Sequence, residues 1–166
     1  MNEPNKKKGL PTWVIVLIVL AVGGPFVIGV FSALAIYGVR KYVVNAKRAE
    51  ATNVLGVWSM GMLACAEKDG LPLSSPAVPA SLQQVSGKKY QSVLSEWSDP
   101  AFVCAGLSLT DPQYFQYQWQ QESPSAGNLV ALADFDGDGT PEQRLAIRIT
   151  CAGGRCTASS LPSAAP

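Results

Sequence analysis

The chain has 166 residues, a net charge of +1 and no histidine. That length holds at most a membrane element plus one small folded domain, and the basic residues are not massed in the C-terminal part, so a nucleic-acid partner is not expected. Without histidine the commonest general base, triad partner and zinc ligand are missing together, and no other pair of side chains is spaced as nucleophile and base, which leaves neither an enzyme nor a small-molecule substrate as the expectation.

Residues 1–12 form a basic leader containing Lys6, Lys7 and Lys8, read as cytoplasmic. From Trp13 to Ile36 there is no charged residue, and a helix of that length rises by roughly 36 Å, enough for a bilayer core with some tilt. Trp13 and Tyr37 stand at its two edges, where aromatic anchors belong. Residues 13–39 are therefore the expected membrane-spanning half of a long helix. A cleaved secretory peptide ending at Ala21, Val22 and Gly23 is the weaker reading, because Pro25 crowds that site and a second apolar run, Phe26 to Ile36, follows it. Gly23, Gly24 and Pro25 predict a bend or loosened turn inside the span. Gly29, Ser32, Ala33 and Ala35 offer a small-residue surface on which a second helix can pack.

Arg40, Lys41, Lys47 and Arg48 follow the span and offset the lysine triplet before it, so charge alone does not orient the chain. The cysteines do: Cys65, Cys104, Cys151 and Cys156 make an even count without a CxxC pair, which fits disulfides in an oxidising compartment and places the C-terminal domain outside the cytoplasm. Val43, Ala46, Val54, Val57, Gly61 and Ala64 recur at helical spacing, interrupted on the same face by Glu50, so the helix is expected to continue over residues 40–66 as a soluble half.

The stretch VIGVFSALAIYGVRKYVVNAKRAEATNVL, residues 27–55, resembles the N-terminal helix of type IV pilins and pseudopilins of a deltaproteobacterial type. Shared features are a run of small and aliphatic residues, an aromatic break, a basic patch, and the segment Arg48, Ala49, Glu50, Ala51 that is similar to the family's SEA-like segment. The resemblance implies an α+β fold in which one long helix packs on a small antiparallel sheet. It also implies an inner-membrane anchor with a periplasmic domain, and partners that are other pilin-like subunits or pilus and secretion machinery. Pilins are cut after a glycine; here Gly9 followed by Leu10 is the candidate, with Val14 at the place of the family's glutamate.

Residues 67–157 are the expected folded domain, and the small, polar residues 158–166 an expected disordered tail. Residues 68–88, with Pro72, Pro76 and Pro79, read as an extended connection. Tyr90, Val93, Leu94 and Trp97 predict one short helix ending before Asp99 and Pro100. Three strands are predicted: QYFQYQWQ, whose Phe115, Tyr117 and Trp119 alternate with glutamines; NLVALADF; and RLAIRI, with Leu145, Ile147 and Ile149 facing inward. Short connections make these an antiparallel meander, whose aromatic face the soluble half of the helix can cover.

DFDGDG carries Asp134, Asp136 and Asp138 at alternate positions and Gly139 at the sixth, the pattern of a calcium loop. Leu145 stands where the EF-hand places its bidentate glutamate, so Glu142 is the compensating ligand and Thr140 a further one; a plain turn built from Asp-Gly pairs is the competing reading. The pseudopilin resemblance also implies calcium in a C-terminal loop. Cys151 and Cys156 enclose AGGR, whose glycines let the chain turn back, which leaves Cys65 with Cys104; the sequence permits three pairings. Two readings of function follow: a pilus or pseudopilus subunit, or a non-assembling single-pass anchor carrying a calcium-stabilised binding module.

Overall fold

The computed structural model describes residues 11–164. Its first element is a helix, α1, over Thr12–Asp69, 58 residues long and containing Pro25. Compactness divides the chain into two units, Met1–Val43 and Val44–Pro166. In the first, the described side chains of α1 from Trp13 to Val39 are largely exposed, and this apolar stretch is long enough to cross a membrane. The helix runs on through Gly23, Gly24 and Pro25.

The second unit is an α+β fold. Four strands, β1 (Gln116–Ser123), β2 (Ala126–Ala133), β3 (Gln143–Ala152) and β4 (Arg155–Ala164), form an antiparallel meander in the order β1-β2-β3-β4. Alternation puts Tyr117, Trp119, Leu129, Ala131, Leu145, Ile147 and Ile149 on one face. The α1 residues Ala51, Leu55, Trp58 and Met62, spaced three and four apart, join them in one core. Glycine permits close approach at two places. A Cβ at Gly61 would overlap the Ala105 carbonyl, and one at Gly127 would overlap the Trp119 ring.

The expected helix over Tyr90–Trp97 shrinks to a 3-10 turn, Leu94–Trp97, because the Tyr90 backbone pairs in both directions with Gln113 and is committed to an extended conformation. A helix follows where none was expected: α2, Pro100–Cys104, in which the Asp99 carboxylate accepts from Ala101 N at 3.0 Å and proline holds the first turn. It brings Phe102 into the core against Trp58 and Trp97, at centroid distances of 5.5 and 5.0 Å.

The proline-rich connection forms a strap along the free edge of β1. Val78 exchanges both backbone hydrogen bonds with Tyr117 at 2.8 Å, and Ser75 N donates to the Trp119 carbonyl at 3.0 Å. The glutamines that alternate with the aromatics hold the strap, Gln116 Nε2 donating to the Pro79 carbonyl at 2.8 Å and Gln118 Nε2 to the Ser75 carbonyl at 3.3 Å. An edge strand otherwise open to pairing is thereby covered.

Of the expected disordered tail, residues 158–164 belong to β4, which runs to Ala164 paired with β3, and residues 165 and 166 lie outside the described residues. Gly153 and Gly154 both have positive φ, 59° and 78°, as a tight hairpin requires, and they return the chain onto β3. Composition alone registers the small polar residues but not the partner strand. Cys151–Cys156 closes this hairpin and Cys65–Cys104 ties α1 to α2, so both pairs stand as the sequence suggested.

Beyond core packing, α1 is pinned to the sheet region near both ends of its folded part. Glu50 Oε1 accepts from Tyr114 N at 2.8 Å and Glu67 Oε1 from Cys156 N at 3.1 Å.

Candidate metal centre

The β2–β3 connection begins as β2 ends at Ala133, and its first residue, Asp134, is fully buried. A buried carboxylate requires donors, and Asp134 has three. Gly137 N reaches Oδ1 at 2.7 Å, while Gly139 N at 2.9 Å and the Ser86 hydroxyl at 2.5 Å reach Oδ2. Both glycines have positive φ, 86° and 90°, which curls the backbone N–H groups back onto that carboxylate. Burial pushes the Asp134 carboxyl up, but the hydrogen bonds from Ser86, Gly137 and Gly139 outweigh it and hold the group below its ordinary value.

The remaining acids converge on the same curl. Asp136 Oδ1 accepts from Asp138 N at 3.1 Å, and Asp138 Oδ1 accepts from both the backbone N and the hydroxyl of Thr140, at 2.7 and 2.5 Å. Glu142 reaches back so that Oε2 accepts from Phe135 N at 2.6 Å. One carboxylate oxygen from each of Asp134, Asp136, Asp138 and Glu142 lies within 4.8 Å of the others. Such a set of hard oxygen donors can hold a metal ion.

Two observations separate this cluster from a plain Asp-Gly turn. The Glu142 Oε1 atom is buried with no hydrogen-bond partner. The Glu142 carboxyl is held above its ordinary value, first by burial and then by the neighbouring Asp136 carboxylate. The internal hydrogen bonds shape the loop but leave that oxygen unsatisfied, and a cation would satisfy it while relieving the carboxylate repulsion.

The structure thus brings together Asp134, Asp136, Asp138 and Glu142, with Thr140 beside them and its hydroxyl engaged by Asp138. Gly9 and Leu10 lie outside the described residues. Gly29, Ser32, Ala33 and Ala35 are exposed on α1, and a Cβ at Gly29 would meet nothing within 4 Å. Glu50, expected on a helix-packing face, faces the loop before β1 instead. Sequence reasoning missed Ser86, whose hydroxyl clamps Asp134 from 48 positions away and which no local spacing marks. It also missed Lys47, whose Nζ lies 4.5 Å from the Tyr114 ring centroid and 4.6 Å from that of Phe135, inside the loop. No family model, curated protein or solved structure matches this chain.

Proposed function

We propose that the chain is a structural subunit or minor component of a type IV pilus or type II secretion pseudopilus-like assembly, held in the bacterial inner membrane by the N-terminal part of α1 with its folded unit in the periplasm. The observation that carries this reading is α1 itself. One helix is free of charge from Trp13 to Val39 and, from Ala51 to Met62, supplies a wall of a disulfide-bonded α+β core. The resemblance of residues 27–55 to pilin helices supports the same reading. The acidic loop takes calcium in a structural role: its donors are all oxygen, and hard-oxygen sites with flexible geometry suit that ion.

The test combines processing with assembly. Intact mass of the protein from its host membrane is expected to show loss of residues 1–9, and Ala35→Cys, on the small-residue face of α1, is expected to form disulfide-linked dimers in the membrane. A full-length mass without dimers overturns the assembly reading. Val14, at the family's glutamate position, favours one alternative, a permanent anchor bearing a calcium-stabilised binding module.

A further inference from the structure

We draw no further inference here: the strongest candidate, the open groove between the end of α1 and α2 that is lined by Gly61, Ala64, Val103 and the Cys65–Cys104 pair, is an unpartnered, largely apolar surface, and nothing in the structure shows what covers it.

Discussion

Asp134 and Glu50 are both enclosed carboxylates, yet their surroundings drive them in opposite directions. Asp134 has three donors and is held low, so its contribution to stability is present above the ordinary aspartate range and is lost as pH falls through its lowered value. Glu50 is held high, so its contribution is complete below the ordinary glutamate range and is lost as pH rises through its raised value. Urea midpoints measured across pH 3 to 7 are therefore expected to converge between wild type and Asp134→Asn at the acid end. For Glu50→Gln the expected trend is reversed, with wild type losing ground to the variant towards neutrality. Asp134→Ala, which strands three donors around a buried site, is expected to cost about 3 kcal/mol of unfolding free energy at neutral pH. The aspartates of this loop were legible because alternate acids and a sixth-position glycine form a local pattern. Ser86 and the turned-back Glu142 were not, since their roles depend on how the strap and the β2–β3 connection meet in three dimensions.

The folded half of the long helix, β1 and β3 could be read from periodicity, whereas the N-terminal half of the helix was legible from its charge-free length and β2, buried along nearly all of its length, from its apolar run. Tyr117 and Trp119 are buried as the alternation predicted. The element read least well was β4, whose small polar residues carry no alternation of their own and whose place is set by two glycines and a disulfide in the hairpin before it. α2 was hidden because five residues hold too little pattern to announce a helix, although Asp99 followed by Pro100 is a start signal. Its close seat against α1 gives a sharp expectation. Gly61→Val drives a side chain into the Ala105 carbonyl and is expected to lower stability by about 3 kcal/mol in urea unfolding, whereas Gly56→Ala, which meets nothing within 4 Å, is expected to be neutral or slightly stabilising. Opening Cys65–Cys104 by the double alanine variant frees a connection of 39 residues and is expected to cost about 4 kcal/mol.

At the scale of the whole molecule, calcium in the acidic loop would act far from its ligands, because Phe135 lies between two of them and packs against Phe115 and beneath Lys47 of α1. Added calcium is expected to raise the thermal midpoint of the full chain by several degrees, and Asp136→Ala to abolish that rise; an equal rise in the variant would remove the loop as its cause. The two carboxylate pins and the Cys65–Cys104 bond also give α1 a direction under load. A pull arriving through its N-terminal part meets the Lys47 contacts with Tyr114 and Phe135 and the Glu50 to Tyr114 bond, and then the core contacts of Leu55, Trp58 and Met62, each of which yields and can re-form. At Cys65 it meets a covalent stop. The folded unit is thus built like a safety line: the segment from Val44 to Ala64 can pay out under tension, while the last turn of the helix stays tied to the domain and provides the place from which the rest winds back.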